Sequence, residues 1–381
     1  MIDLEGADAL LLCDDSESNP DLHWASGFRA PDAFSYLWTP ARSYLLLGDL
    51  ELDRARDQSR VDEVLSSTHY GRLYRERHPD APDTDRALQS LTMALRDLEL
   101  NRLVVPASFP LRTAELLRDA GFELRAATDP LFPGRAFKRP DEIAAVRAAQ
   151  AAAEQSMAAA ADALRRAETR DDALVLDGEP LTSERLRRLI HTVLIEAGCI
   201  GEHTIVAGGE QGCDPHNTGS GPLRPHQTII IDIFPRHEAT GYFGDMTRTL
   251  VKGTAPAPVC ALWEAVRAAQ AEALGQIRHG ACGRELHARV EAVFAERGYE
   301  TGEVDGHMQG FFHGTGHGVG LAIHEAPGIG KAGTPLETGH LVTVEPGLYY
   351  PGVGGVRLED LVLVQDDGCD NLTTFPLDLE V

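Results

Sequence analysis

Residues 228–249 read TIIIDIFPRHEATGYFGDMTRT, so that one acid stands inside each of two apolar, strand-like segments. The segments cover residues 228–234 and 242–251, and the acids are Asp232 and Asp245. Burying an ionised carboxylate without a partner is very costly. Each acid is therefore predicted to need a cation, a hydrogen-bond network or a metal ion.

The same pattern recurs twice towards the end of the chain. Glu345 follows the strand-like residues 340–344, and Glu359 stands inside the strand-like segment 356–364. One acid of this kind is as often a structural salt-bridge partner as a ligand. Four such acids, in four strand-like segments of one region, indicate a shared site.

A glycine-rich segment adds histidines to these acids. Residues 313–320 read HGTGHGVG and are followed by His324 and Glu325. Alternate glycines permit the close approach of another backbone segment. The Gly-x-Gly pairs do not indicate a dinucleotide site, because no strand–turn–helix unit surrounds them. A lone histidine is more often structural, but three in one such segment favour a ligand role for His317.

The acids and the imidazole form an oxygen-rich ligand set. Such a set suits a site for Mn, Co, Zn or Fe(II). It does not suit a structural zinc site, which favours thiolate ligands. Carboxylates able to bridge predict two ions about 3.5–4 Å apart, which would lower the pKa of a bound water towards about 7. The predicted ligands of this hydrolytic centre are Asp232, Asp245, His317, Glu345 and Glu359.

Two threonines are predicted to support the ligands. Side chains two residues apart on a strand share a face. Thr247 is therefore expected to orient Asp245, and Thr343 to orient Glu345.

Residues 1–135 are predicted to form a smaller α/β domain. Short apolar runs are separated there by helical stretches at 86–98 and 111–120. Prolines and a glycine within residues 129–134 break the pattern, and Pro140 opens a long helix.

The second predicted domain, residues 136–381, groups its helices and strands instead of alternating them, which favours an α+β fold. Further helices are predicted at 182–197, 258–277 and 283–297, and further strands at 203–206 and 340–344.

Composition limits the possible partners. The chain has 381 residues, of which 59 are acidic and 35 are Lys or Arg, and its formal charge is −24. Such a surface repels phosphate backbones and anionic lipids, so neither a nucleic-acid nor a membrane partner is predicted. The six cysteines are widely spaced, the first residues lack a signal-peptide pattern, and no run of about 18 apolar residues occurs. A cytoplasmic location is predicted.

Taken together, these motifs resemble the pita-bread metallopeptidases, which comprise Xaa-Pro aminopeptidases, prolidases and methionine aminopeptidases, with creatinase as a metal-free relative. The motifs are Asp232…Gly241-Tyr242…Asp245-x-Thr247-Arg248-Thr249, His313-Gly-x-Gly-His317-Gly-x-Gly…His324-Glu325, Val344-Glu345-Pro346-Gly347 and Val356-Arg357-x-Glu359-Asp360. Ser26-Gly27-Phe28 and residues 138–147 extend the resemblance over nearly the whole chain. It implies a pita-bread catalytic domain preceded by a creatinase-type N-terminal domain.

The resemblance also implies how the ligands are shared between two divalent ions, with Mn, Zn or Co as the candidates. Asp232 would bind one ion, and His317 with Glu345 would bind the other. Asp245 and Glu359 would bridge them.

The resemblance further implies residues that contact the substrate. His216 matches a histidine that contacts substrate, and His313 and His324 match histidines that line the substrate pocket. Tyr349 is expected in the aromatic wall. Glu345 is expected to carry the proton of the attacking water to the leaving proline nitrogen, with His324 or His216 donating to the developing oxyanion. Because relatives are commonly homodimers, a homodimer is expected.

Two features depart from the family pattern. Asp232 and Asp245 lie two residues further apart than is usual, and Phe234 replaces a usual glycine. The extra residues fall within 235–240, a predicted hairpin tip. They are therefore expected to change the pocket rim and to leave the metal site intact.

The preferred substrate length depends on how the carboxylate of the substrate proline is bound. An enzyme that prefers Xaa-Pro dipeptides needs a donor there, and a charge-assisted contact of this kind is worth about 1.5–3 kcal/mol. Arg236, in the hairpin tip, and Arg357, on the strand face of Glu359, are the candidates, although neutralising the carboxylates is the favoured role for Arg357. The sequence thus favours a prolidase-type Xaa-Pro dipeptidase.

Several alternatives stay open beside the dipeptidase. The closest is an Xaa-Pro aminopeptidase that acts on longer peptides. A methionine aminopeptidase would share the ligands but usually lacks the first domain, and a creatinase-like enzyme would lack the ligands. A catalytically inactive peptide-binding module of the same fold would usually have lost some of them.

Overall fold

A six-stranded mixed sheet forms the centre of the first of two units. The computed structural model describes residues 4, 6–80 and 84–381, and the chain divides into the units Met1–Gly134 and Arg135–Val381. The strands of the first unit are β1 (Ala9–Asp14), β2 (Phe34–Trp38), β3 (Ser43–Leu47), β4 (Glu63–Ser66), β5 (Arg102–Val105) and β6 (Glu123–Ala126). Its helices are α1 (Pro20–Ser26), α2 (Leu52–Gln58), α3 (Ser67–Arg77), α4 (Arg86–Asp97) and α5 (Leu111–Asp119). The sheet order is β4-β3-β2-β1-β5-β6.

The inner strand β1 is covered on both of its faces. Leu11 belongs to the apolar cluster on one side of the sheet, and Leu10 and Leu12 belong to the cluster on the other side. A strand that is buried on both faces requires a continuous apolar run. This explains why residues 9–13 read ALLLC without alternation.

The second unit contains four long helices and seventeen short strands. Its helices are α6 (Pro140–Arg166), α7 (Ser183–Glu196), α8 (Ala257–Leu274) and α9 (Gly283–Glu296). Its first strands are β7 (Glu168–Arg170), β8 (Ala173–Leu176), β9 (Glu179–Pro180), β10 (Cys199–Ile200), β11 (Ile205–Gly208), β12 (Thr228–Ile233), β13 (Arg236–His237) and β14 (Met246–Val251). The remaining strands are β15 (Gly302–Val304), β16 (His307–Gln309), β17 (Gly316–Gly318), β18 (Glu325–Ile329), β19 (Leu341–Val344), β20 (Gly347–Tyr350), β21 (Gly354–Arg357), β22 (Asp360–Gln365) and β23 (Gly368–Asn371).

Two helix pairs cover the two main sheets of this unit. α6 and α7 pack on the sheet β11-β12-β14, where Met157 joins Ile231 in one apolar cluster. α8 and α9 pack on the sheet β18-β17-β19-β22-β23, where Val266 joins Val342 in a second cluster. Within the described residues, no helix has both the length and the apolar character needed to cross a bilayer.

The long helix α6 begins at Pro140, as predicted. Asp141 and Glu142 lie in its first turn, where negative charge favours the helix dipole. The Glu142 carboxylate also accepts a hydrogen bond from the backbone N–H of Arg139, at 2.7 Å. These interactions fix the helix start, from which α6 reaches the functional site.

Two predicted strands are shorter than the sequence pattern indicates. The predicted strand over 356–364 is wrong, because the chain leaves β21 at Arg357 and enters β22 at Asp360. The physical reason is a change of partner, since β21 pairs with β20 whereas β22 pairs with β19 and β23. The predicted strand over 242–251 begins only at Met246. Asp245 and Glu359 therefore stand immediately before strands and not inside them.

The boundary between the predicted domains can be tested by limited proteolysis. Residues 128–130 are exposed and outside any helix or strand. We expect a brief treatment with proteinase K to cut first at or near residues 128–130, just before the predicted boundary, because an exposed irregular segment enters a protease active site most easily. Mass spectrometry of the fragments locates the cut. First cleavage within residues 228–251 would contradict the predicted division after residue 135.

Candidate metal centre

One cavity of the second unit contains all five predicted metal ligands. Its volume is about 830 Å³. The predicted residues on its wall are Asp232, Asp245, His317, Glu345, Glu359, His216, His313, His324 and Arg357. Residues separated by more than 140 positions in the chain are thus brought to one place.

The ligands come from five strands or their ends, two of them in one sheet and three in another. Asp232 lies in β12, directly opposite Thr247 of β14. His317 is the middle residue of β17, and Glu345 follows the last residue of β19. Asp245 and Glu359 are the last residues before β14 and β22. A strand end fixes the backbone while leaving the side chain free to reach into the cavity.

Three of the ligands are close enough to hold one cation. Asp245, His317 and Glu359 each offer a ligand atom, and these three atoms all lie within 4.8 Å of one another. The Nε2 atom of His317 also lies 3.3 Å from Oε1 of Glu345 and 3.7 Å from Oδ2 of Asp245. Oxygen and imidazole donors at this spacing suit a divalent transition metal.

The surroundings of the Asp232 carboxylate show that these side chains fit a cation. Its Oδ2 atom accepts a hydrogen bond from Nη2 of Arg357 at 2.6 Å. Its Oδ1 atom is buried and has no hydrogen-bond partner among the described residues. A buried carboxylate oxygen without a donor is costly. A metal ion beside Oδ1 would remove that cost.

The protein alone does not stabilise the ionised form of this cluster. Burial, followed by the neighbouring Glu359 charge, raises the pKa of Asp245 well above its ordinary value. Burial, followed by the Glu345 charge, raises the pKa of Glu359 in the same way. Burial also raises the pKa of Glu345 to about 7. Because a bound cation reverses such shifts, the cluster has the electrostatics of a metal site.

The two threonines do not both have the predicted partners. Thr247 donates to Oε2 of Glu359 at 2.7 Å, so the predicted pairing with Asp245 is wrong. Asp245 precedes the strand and does not share its alternation. Thr343 has its predicted partner, because its hydroxyl donates to Oε1 of Glu345 at 3.4 Å. The same hydroxyl accepts a hydrogen bond from the backbone N–H of His317 at 3.1 Å.

Tyr349, predicted in the pocket wall, is not among the residues that line the cavity in this structure. Its side chain is fully buried, and Phe312 lines the cavity. The Tyr349 hydroxyl accepts from Nη1 of Arg357 at 3.2 Å and lies 2.9 Å from Nε2 of His313. Tyr349 therefore links the arginine that neutralises Asp232 to a histidine of the cavity.

The cavity histidines occupy different environments. His216 and His324 are exposed, whereas His313 is partly buried. Burial, followed by the Arg357 charge, lowers the pKa of His313 to about 3, so its imidazole is neutral. Burial also lowers the pKa of His324, whose ring meets that of His317 edge-on with 4.4 Å between the ring centroids.

Arg236 is not among the residues that line the cavity. It lies in β13, which pairs with β10. Sequence reasoning missed other lining residues, including His203 and Ile323. His203 has a left-handed backbone with φ of 54°, which is uncommon for a residue other than glycine. No motif marks these positions, because only the folded chain brings them to the cavity.

The glycines around His317 have the predicted steric role. A Cβ atom on Gly316 would lie 1.9 Å from the carbonyl oxygen of Thr343, and one on Gly318 would lie 2.6 Å from that of Glu325. No side chain fits at such distances. The glycines therefore let β17 pass close to its neighbours, which sets the backbone of His317 beside Glu345.

Comparison with known proteins agrees with this geometry. The chain matches metallopeptidase family M24 over residues 144–366. An Xaa-Pro dipeptidase of Pyrococcus horikoshii is 31% identical over 172 residues, which are 45% of this chain and 46% of that protein. A probable dipeptidase PepE of Mycobacterium tuberculosis is 32% identical over 258 residues, which are 67% of this chain and 63% of that protein.

The chain thus spans about half the length of curated relatives such as the Pyrococcus protein. Among solved structures, an X-Pro aminopeptidase of Thermotoga maritima MSB8 superposes with a TM-score of 0.82. It is 23% identical, and the match covers 99% of this chain and 98% of that one. This agreement confirms the predicted α+β pita-bread fold with a preceding N-terminal domain. The match over more than half of its length shows that the chain belongs to metallopeptidase family M24.

Proposed function

We propose that the protein hydrolyses Xaa-Pro peptide bonds with two divalent metal ions and that it prefers dipeptides. The observation that carries this proposal is the convergence of five ligand side chains in one cavity, where the buried Oδ1 of Asp232 has no donor among the residues that the structure describes. The names of relatives, an Xaa-Pro dipeptidase and a probable dipeptidase, support the substrate class.

The ligands divide between the two proposed ions as the resemblance implies. Asp232 would hold one ion, His317 and Glu345 would hold the other, and Asp245 and Glu359 would be shared by both. When bound, Mn, Co or Zn ions would polarise the scissile carbonyl and acidify a water. The short distances among Asp245, His317 and Glu359 support this division.

Glu345 is proposed to move the proton. Its carboxylate is oriented by the Thr343 hydroxyl, and its Oε1 atom lies 3.3 Å from Nε2 of His317. A carboxylate held in this way beside the reacting water can take a proton from it and release the proton to the leaving group. Glu345 would therefore protonate the proline nitrogen as the peptide bond breaks.

Three histidines are proposed to bind the substrate. His324 and His216 lie on the cavity wall, from which an imidazole N–H can donate to the carbonyl oxygen as negative charge develops. His313 is held by Tyr349 and presents a neutral ring. Phe312 adds an apolar surface suited to the proline ring.

One structural observation favours the alternative, an Xaa-Pro aminopeptidase that acts on longer peptides. Arg357 is fully engaged with Asp232, Tyr349 and the carbonyl oxygen of Pro215. Arg236 lies outside the cavity lining. Neither arginine is thus placed to bind the carboxylate of a dipeptide, and the dipeptide preference rests on the names of the relatives.

A pair of matched peptides separates the two functions. We expect kcat/KM for Ala-Pro to exceed that for Ala-Pro-Ala, in line with the names of the relatives, an Xaa-Pro dipeptidase and a probable dipeptidase. Arg236→Ala is expected to leave this ratio unchanged, because the arginine does not line the cavity. Equal or faster hydrolysis of the tripeptide by the wild type would assign the protein as an aminopeptidase instead.

The homodimer and the cytoplasmic location expected from the sequence stay predictions. We propose the homodimer as the state in solution, and light scattering coupled to size-exclusion chromatography measures its molar mass.

A further inference from the structure

A buried ion cluster lies beneath the loop that carries His324. Oε1 of Glu325 accepts a hydrogen bond from Nζ of Lys138 at 2.6 Å, and Oε2 accepts one from Nη2 of Arg135 at 2.5 Å. The side chains of Lys138 and Glu325 are only 1% and 9% exposed. We call Arg135, Lys138 and Glu325 the basic clamp.

Lys138 is itself held in one place. Its Nζ atom also donates to the carbonyl oxygen of Arg135 at 2.6 Å and to that of Ala136 at 3.4 Å. Its backbone N–H donates to the carbonyl oxygen of Gly339 at 2.9 Å. A lysine fixed at both ends can hold its partner carboxylate in a defined position.

The clamped carboxylate closes the loop over residues 320–325. Oε2 of Glu325 accepts from the backbone N–H of Ala322 at 3.4 Å, and the N–H of Gly320 donates to the carbonyl oxygen of Ala322 at 3.1 Å. A Cβ atom on Gly320 would lie 2.4 Å from Oε1 of Glu325, so the carboxylate fills the space beneath this glycine. Removing the Lys138 ammonium would leave the buried Oε1 of Glu325 without this donor, and the loop would have to move to solvate that oxygen.

His324 depends on this loop for its position. Its side chain is exposed and makes no hydrogen bond with any described residue, although its ring stands edge-on to that of His317. Neither burial nor a hydrogen bond therefore fixes the imidazole. Its place on the cavity wall follows from the backbone of the residue next to it, Glu325.

Residues 142–150, which follow Lys138 in the chain, also contact the segment that carries Asp245. Oε1 of Glu142 accepts from the Tyr242 hydroxyl at 2.6 Å, and Oε1 of Gln150 accepts from the backbone N–H of Asp245 at 2.7 Å. Residues 135–150 thus make buried polar contacts with both the segment that carries Asp245 and the segment that carries His324. The clamp is the part of this segment that contacts Glu325, the residue next to His324.

We propose that Lys138 and Arg135 are positioning residues that act through Glu325 to hold the His324 imidazole at the reacting carbonyl. This inference rests on the role proposed above for His324. It assigns a function in turnover to two cations that bind neither metal nor substrate.

A double-mutant cycle tests the inference. The set comprises the wild type, Lys138→Met, Lys138→Arg, His324→Ala and the double variant Lys138→Met/His324→Ala. Each protein is loaded with manganese, its metal content is measured, and kcat and KM are determined with the peptide that the wild type cleaves fastest. The control is Lys331→Met, because Lys331 is 85% exposed.

We expect Lys138→Met to lower kcat by about 10- to 100-fold at the metal content of the wild type, since a displacement of about 1 Å can cost about 100-fold. KM should change less than kcat, and Lys138→Arg should recover most of the rate. In the His324→Ala background, Lys138→Met should cause no further loss. If Lys138→Met does not fold, Arg135→Gln replaces it in the cycle under the same criteria.

Three results would overturn the inference. If the losses in kcat of the two single variants multiply in the double variant, the clamp acts on the fold in general. A wild-type kcat in the clamp variant would show that it does not act on turnover. Full activity of His324→Ala would remove the role of His324, and the inference with it, while leaving the proposed metal centre unaffected.

Discussion

Removal of divalent metal by a chelator should abolish peptide hydrolysis, and Mn, Co or Zn should restore it. The reason is the composition of the cluster, in which buried carboxylates repel one another and one oxygen of Asp232 has no donor in the described part of the chain. None of these side chains is a nucleophile poised to attack a peptide bond by itself. Without the ions, the cavity retains the substrate-binding groups but loses the activation of water.

The measurement is the rate of Ala-Pro hydrolysis plotted against bound metal determined in the same sample. A mock-dialysed sample serves as the control for loss of protein during the treatment. If the protein is instead a catalytically inactive binding module, no sample should hydrolyse the peptide, including the sample reconstituted with metal. Full hydrolysis in a sample shown to contain no metal would refute the proposed centre.

Glu359→Gln should reduce both metal content and activity severely. Glu359 is 2% exposed, and its Oε2 atom already accepts a hydrogen bond from Thr247. A neutral amide keeps the shape of the side chain but is a poor bridge between two cations. We expect kcat/KM to fall by at least about 100-fold, which exceeds the 10–100-fold range typical of changes to groups that only support metal ligands.

The matched control for this variant is Glu264→Gln. It makes the same chemical change on the surface of α8, where Glu264 pairs with Arg267. It should retain both the metal content and the turnover of the wild type. Near-normal turnover in Glu359→Gln would mean that the reaction takes place elsewhere in the protein.

The metal ligands could be predicted because burying charge has a large cost. An acid inside an apolar segment is conspicuous in any sequence, and Asp232 lies in β12 as expected. The long helices were predictable for a similar reason, since their apolar faces repeat over several turns. The first turn of α6 carries its own start signal at Pro140.

The sequence pattern did not predict where β14 begins, and the partner of Thr247 depends on that position. Gly244 lies so close to α6 that a Cβ atom there would be 2.6 Å from the backbone nitrogen of Gln150. This approach shapes the segment before β14, so that Asp245 falls outside the strand and Thr247 meets Glu359 instead. The short helices α1 and α2 span seven residues each, too few for a periodic pattern to be recognised.

Contacts between residues that lie far apart in the chain could not be predicted from the sequence either. Phe312, and not Tyr349, faces the cavity because Tyr349 turns its hydroxyl towards Arg357 and His313. The basic clamp joins positions that are 187 residues apart in the chain. Nothing local to Lys138 indicates this partner.

The close passage of β17 beside Thr343 has a consequence for protein engineering. Because the carbonyl oxygen of Thr343 would lie 1.9 Å from a Cβ atom on Gly316, no substitution at that position can be accommodated without displacing His317. Phe234, by contrast, lines the same cavity, whereas the left-handed backbone of His203 restricts which residues can replace it. A library intended to change which peptides are cleaved should therefore diversify residue 234 and leave residues 203 and 316–318 untouched.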